Sequence, residues 1–198
     1  MIEETLSAID PKLEISTMHE NVQYDFRIKW VHIPEWGCQL MFTEGLSSKT
    51  QEVKEGFEPF KKIELYFCLP DFWNIEVENW PLEWLDRLAC IPQKNDTWFG
   101  PGDTIPAGNP PQELSDRFKA NHFMLVEPIT LGSFFENAHW KALDIRFLGV
   151  VPISQDELDY KIRNSATVLT ERLKKANHTE KVDLFRTSVC RRRFLGLF

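Results

Sequence analysis

Two stretches of this chain, Ile63 to Leu69 and Leu143 to Ile153, are apolar in both parities, with Glu64 the exception in the first. A strand apolar on both faces has to be covered on both faces, so each predicts a central position in a sheet. Tyr24 to Ile33 reads differently. Tyr24, Phe26, Ile28 and Trp30 alternate with Asp25, Arg27 and Lys29, the pattern of an antiparallel strand covered on one face only. Pro34-Glu35-Trp36-Gly37 is a turn signal, and Cys38 to Thr43 returns as a second strand, so Tyr24–Thr43 predicts a hairpin. His122 to Glu127 (HFMLVE) is a further strand.

Helix signals sit around these strands. A short helix spans Glu3 to Ile9 and stops at Asp10-Pro11. A second runs from Trp80 to about Ile91, with Pro81 in its first turn, a stripe of Trp84, Leu85, Leu88 and Ile91, and Pro92 as its end. Ser154-Gln155-Asp156-Glu157 is a capping box. Leu158, Ile162, Ala166, Leu169 and Leu173 follow at helical spacing, which predicts one helix to Lys174-Lys175 with Asn177 as its cap. Residues 44–61 and 128–141 read as connections, Gln93 to Phe118 as a long loop rich in Pro, Gly, Asn and Asp, and Val182 to Val189 as a strand or an extended docking arm. The strands are not regularly separated by crossover helices. The expected fold is α+β: a single domain with a mixed, largely antiparallel central sheet flanked by helices. Within it we divide the chain into an N-terminal helical segment (1–20), the main body (21–176) and a C-terminal arm or tail (177–198).

Charge and composition exclude several functions. The formal net charge of −7 disfavours nucleic acid and anionic membrane surfaces, since phosphate contacts need clustered cations. The local exception, Arg191-Arg192-Arg193, reads as a solvated tail. Cys38, Cys68, Cys90 and Cys190 show no C-x-x-C spacing and read as small buried hydrophobes of a reducing compartment. The acidic N-terminus lacks the apolar run of a signal peptide, and no stretch approaches the ~20 apolar residues of a membrane span. A cytoplasmic location is the expectation.

No constellation of side chains points to catalysis. His19, His32, His122, His139 and His178 form no zinc spacing, and His122 and Glu127, five apart on a strand, face opposite sides. There is no nucleophile elbow. Cys90 on a helix stripe lacks the exposed electropositive setting of a reactive thiol. Gly100-Pro101-Gly102 lacks the Lys-Ser/Thr of a phosphate loop. The carboxylates Glu76/Glu78 and Glu83/Asp86 read as a solvated rim, while Asp156, Glu157 and Asp159 are explained by helix capping and dipole. No metal, cofactor or catalytic residue is expected. Asp103 stands apart, because Trp98 and Phe99 lie close by in a Gly/Pro-rich loop. A carboxylate beside exposed aromatics can bind a partner chain, or it can close its own turn.

Several segments, in order, resemble the suppressor-of-fused family. Met41-Phe42-Thr43-Glu44-Gly45-Leu46-Ser47 resembles its L-x-T-x-G-(M/L)-S segment, and Glu64 to Pro70 its E-L-x-x-x-L-P strand. Trp80-Pro81, Leu85 and Leu88-Ala89 resemble the helix that follows, and Gly102-Asp103-Thr104 its G-(D/H)-(T/H) turn. Phe147-Leu148, Pro152-Ile153 and Glu157-Leu158 resemble the closing strand and helix. The likeness runs from about Leu40 to Leu173 and lies in order and spacing rather than in any one piece. It implies a mixed sheet flanked by helices and a protein-binding role rather than catalysis. It also implies that Asp103, with Thr104 beside it, contacts the partner. An aromatic contact position of the family falls on Ile91, a departure from the pattern. The short stand-alone members implied by this length are typical of bacteria and resemble immunity proteins that neutralise toxins. A basic toxin is therefore the expected partner, bound through Trp98, Phe99, Asp103, Thr104 and Ile91. A regulatory adaptor with a non-toxin partner, and an enzyme using carboxylates in the 93–118 loop, are the alternatives. Oligomeric state is not legible.

Overall fold

The computed structural model describes residues 2–116, 118–136 and 138–190; Arg191-Arg192-Arg193 lies outside them. The elements in chain order are α1 (Ile2–Ile9), β1 (Ile15–Asn21), β2 (Phe26–Ile33), β3 (Cys38–Glu44), β4 (Ile63–Pro70), α2 (Trp80–Lys94), β5 (Thr104–Pro106), β6 (His122–Val126), α3 (Gly132–Phe135), α4 (Ala138–Lys141), β7 (Arg146–Ile153), α5 (Gln155–Arg163) and α6 (Ala166–Lys175). The strands form a seven-stranded sheet ordered β1-β2-β3-β4-β7-β6-β5. Only β4 and β7 run parallel; the other pairs are antiparallel. This is the mixed, largely antiparallel α+β architecture that the sequence predicts.

The two doubly apolar runs take the centre. Every residue of β4 is buried, and so is every residue of β7 except Arg146. Leu65, Phe67 and Leu69 of β4 join Phe123, Leu125, Leu148 and Val150 in the main core. Helix α2 covers that face with Trp80, Leu85, Leu88 and Ala89. On the opposite face Tyr66, Cys68 and Phe147 pack against α1, α3 and α4 through Leu6, Phe134 and Trp140. Further along that face Met124, Val126, Val151 and Ile153 meet Leu169 and Leu173 of α6. Gly149 makes room between the two groups. A Cβ there would lie 3.1 Å from both the Tyr66 ring and Glu180.

Several local expectations are corrected. Strand β2 is covered on both faces: Phe26 and Ile28 enter the main core, while Val31 and Ile33 pack on the α1 side with Ile2 and Leu6. Lys29 sits buried because Glu3 of α1 lies 2.5 Å from its Nζ and Thr17 of β1 lies 2.8 Å away. The N-terminal segment holds more than a helix, since Ile15–Asn21 pairs with β2 as an edge strand. Pro92 does not end α2, which continues to Lys94; its missing N–H removes one i→i−4 bond from the last turn without stopping the helix. The 93–118 loop contains β5, and the 128–141 connection contains α3 and α4. The single long C-terminal helix is two. At the break the Asn164 amide bonds the Tyr160 carbonyl and the Ser165 hydroxyl caps Val168, so both side chains compete with helix continuation. Ile162, expected on the buried stripe, is exposed.

After α6 the chain forms an extended strap. Lys181 pairs in parallel with Cys68 of β4, and Val182 N–H donates to the Cys68 carbonyl at 2.8 Å. The β4–β7 pairing is registered from Ile63–Arg146 to Tyr66–Gly149, so the strap takes up β4 where that pairing stops. Two carboxylates anchor it. Glu180 accepts from the backbone N–H groups of Ile129, Thr130 and Leu131 and from the Tyr66 hydroxyl. Glu157 receives both Arg186 guanidinium nitrogens, at 2.6 and 2.8 Å. Helix capping therefore does not exhaust the role of Glu157.

The Arg186–Glu157 pair is deeply buried, at 7% and 0% side-chain exposure. Arg186→Met leaves the carboxylate without its cation, and we expect it to lower stability by about 3–5 kcal/mol. Urea unfolding reads the loss, and limited proteolysis should find new cleavage within 183–190.

Candidate partner-binding surface

The Gly100–Thr104 turn is built from tight contacts. Gly100 N–H donates to Asp103 Oδ2 at 2.8 Å, and Asp103 N–H donates back to the Gly100 carbonyl at 3.2 Å. Gly102 N–H reaches the Leu125 carbonyl and Leu125 N–H the Asp103 carbonyl, which seats the turn on β6. Gly102 has φ +91, and a Cβ there would lie 2.8 Å from the Ala166 side chain. A Cβ on Gly100 would lie 2.6 Å from the Trp98 ring. The glycines are needed because the turn is wedged between Trp98 and the start of α6.

The predicted contact residues are divided by this geometry. Asp103 is half-buried and closes its own turn through one oxygen; Oδ1 has no hydrogen-bond partner among the described residues. Trp98 is half-buried, its ring centroid 5.0 Å from that of Phe57. Thr104 is half-buried on β5, with Lys161 Nζ 3.4 Å from its hydroxyl. Ile91 is half-buried on α2 against the main core. Phe99 is 4% exposed and belongs to that core. Its backbone is clamped by the Gln51 amide, which accepts from Phe99 N–H and donates to its carbonyl. Phe99 thus supports the surface from beneath and offers no ring to a partner. Strand β5 is a sheet edge, paired only to β6, and ends in Pro106.

Of the carboxylates of the 93–118 segment, Asp103 serves its turn, Glu113 pairs with Lys119 at 2.8 Å, and Asp96 and Asp116 are exposed. Asp96 lines a groove of about 410 Å³ together with Glu52, Lys49 and Trp98. Among the described residues no group of three His, Cys, Asp or Glu side chains could hold a metal ion. His19 pairs with Asp86 at 3.2 Å and His32 with Asp71 at 3.1 Å. His122 is buried beside Asn121, and burial lowers its pKa.

A buried carboxylate knot escaped the sequence reading. Glu64, the polar exception of β4, is fully buried. Its Oε1 accepts from Gly45 N–H, Ser47 N–H and the Ser47 hydroxyl, and its Oε2 from the Thr43 hydroxyl at 2.5 Å. Gly45 has φ +118, and a Cβ there would lie 2.8 Å from the Asp25 carbonyl. The Thr43-Glu44-Gly45-Leu46-Ser47 segment is thus shaped around one carboxylate. Burial raises the Glu64 pKa to about 7, the hydrogen bonds opposing it only in part. At Glu157 burial also raises the pKa, but the Arg186 fork and charge outweigh it and hold the group below its usual range.

The family model described as suppressor of fused protein (SUFU) matches residues 24–187. The chain belongs to the suppressor-of-fused family. A solved chain described as "the Sufu-Fu complex crystal structure" is similar in fold, with a TM-score of 0.62 and 16% sequence identity. The match covers 95% of this chain and 90% of that one. No curated protein sequence matches. No helix among the described residues is long and apolar enough to cross a membrane.

Glu64 gives the fold a pH dependence. Below its unfolded pKa of about 4.5 both states are protonated, and above about 7 both are ionised. Between these values only the folded state keeps the proton, so this group's contribution to stability falls as pH rises. The loss is on the order of 3 kcal/mol across the window. Urea midpoints measured from pH 5 to 8 should decline relative to Glu64→Gln, which cannot ionise; parallel curves would refute the assignment.

Proposed function

We propose that this chain is a non-catalytic protein-binding module, and more narrowly an immunity-type protein that binds and neutralises a toxin. Membership of the suppressor-of-fused family carries the binding role. The fold likeness to a chain solved as a complex with a protein partner agrees with it. The narrower reading rests on charge. A net charge of −7 suits a basic partner, because long-range attraction speeds capture and suppresses wrong encounters. We place the contact at the Trp98–Asp103–Thr104 turn. Among the described residues Asp103 Oδ1 has no hydrogen-bond partner, the half-buried Trp98 ring supplies apolar area, and the turn is seated on β6 by two backbone hydrogen bonds.

The test is capture of the host's or a rival cell's proteins on the tagged chain at low and moderate salt, then titration of the purified partner. A partner whose toxicity to growing cells is relieved by co-expression supports neutralisation; a non-toxic regulator supports the adaptor reading instead. Asp103→Asn keeps an acceptor for Gly100 N–H while removing the charge. It should weaken the partner at least tenfold with little change in unfolding midpoint. Unchanged affinity would show that the contact lies elsewhere.

A further inference from the structure

Among the described residues thirteen of the chain's phenylalanines can be placed, and just two are exposed: Phe72 at 76% and Phe185 at 78%. Both lie close to the same end of the sheet. Phe72 follows the last residue of β4, Pro70. Phe185 N–H donates to the carboxylate of Asp183, which lines one groove together with Phe72, so Phe185 stands close to the same end. A groove of about 360 Å³ joins the two segments, lined by Pro70 and Phe72 on one side and by Lys181, Val182 and Asp183 on the other. Val77, 73% exposed, belongs to the loop that follows Phe72.

The backbone beneath the exposed rings is anchored on both sides. Phe185 sits between anchored neighbours. Val182 and Leu184 pack on the main core, and the Arg186 guanidinium is locked to Glu157. Phe185 N–H also donates to Asp183 Oδ1 at 2.9 Å. On the other segment the Gln39 amide donates to the carbonyls of Asp71 and Trp73, bracketing Phe72, and Trp73 is buried. An aromatic residue whose flanking backbone is anchored has already given up the backbone freedom that binding would cost. Such rings are the anchors that dominate interfaces.

The charge around them selects the occupant. Glu76 and Asp183 are exposed and Glu78 is half-buried, and none of them has a cation within ion-pair distance among the described residues. Of the cations nearby, Arg186 pairs with Glu157 and His32 faces Asp71, while Lys181 Nζ donates to the neutral Gly37 carbonyl and is outnumbered by the carboxylates. We infer that the Phe72–Phe185 end of the sheet is a second docking surface, and that it takes a protein segment carrying Lys or Arg side chains around aliphatic or aromatic anchors. The inference rests on the protein-binding reading above but uses a different surface from the Asp103 turn.

The probe is a synthetic peptide, acetyl-Arg-Leu-Lys-Phe-Arg-Leu-Lys-Phe-amide, titrated into the isotope-labelled chain and followed by amide chemical shifts. Shifts should cluster at 71–78 and 182–186. Affinity should fall at least tenfold in Phe72→Ser and in Phe185→Ser, both surface changes that leave the core intact. It should also fall at least tenfold in the Glu76→Gln/Glu78→Gln double variant, and weaken with salt. A peptide with Glu in place of Arg and Lys should not bind. Absence of binding, or shifts centred on 98–104, overturns the inference. A captured native partner separates the two proposals. If Asp103→Asn weakens it and the two Phe variants do not, the binding role stands and this surface falls. If neither set matters, both sitings fall.

Discussion

A carboxylate without access to water organises the C-terminal third of this protein. Glu157 accepts from the Ser154 N–H that begins α5, from both arms of Arg186 and from the Val189 N–H. One side chain thus starts a helix and holds down the strap that follows the next helix. Arg186 also donates to the Pro152 carbonyl at the end of β7, so the same contact reaches the sheet. Buried ion pairs contribute little by mere proximity, since desolvation offsets the attraction. Here both Glu157 oxygens and both terminal Arg186 nitrogens are hydrogen-bonded, and the value of the pair is positional: removing either partner strands the other in the interior. The anchoring of the backbone beside Phe185 follows directly from it.

The same device recurs twice, with backbone amides in place of a cation. Glu180 is held by three consecutive N–H groups at 129–131, and Glu64 by the Gly45–Ser47 turn. In each case a buried carboxylate fixes a connecting loop by accepting from its backbone N–H groups. An acidic protein thereby uses some of its carboxyl groups as internal scaffolding, while others lie on the surface.

The fold was largely legible because its central strands announce themselves. Apolar residues in both parities at β4 and β7, and the turn at Pro34–Gly37, have few alternatives. What escaped was set by tertiary partners rather than local pattern. Ile15–Asn21 is polar and pairs on one side only, so no alternation marks it as a strand. The α5–α6 break hides in a continuous helical spacing, where only Asn164-Ser165 hinted at competing hydrogen bonds. Glu157 satisfied a capping motif so well that nothing pointed to Arg186, 29 residues later. At the candidate surface, the Trp98 ring and the Asp103 carboxylate both border Gly100, whereas Phe99, one residue from Trp98, turns inward. Adjacent aromatics in a loop cannot be told apart until the core beneath them is known.

The strap also bears on how this chain is made. Strand β4 gains its parallel neighbour only when β7 emerges, and the contact between Tyr66 and Glu180 spans 114 residues. During synthesis the most apolar strand of the sheet must therefore wait with one edge unpaired while most of the following chain is added. Non-local closure of this kind slows folding, and an unpaired apolar edge is a template for association. The late segment that seals β4 near Cys68 thus doubles as the step that ends the nascent protein's exposure to misassembly.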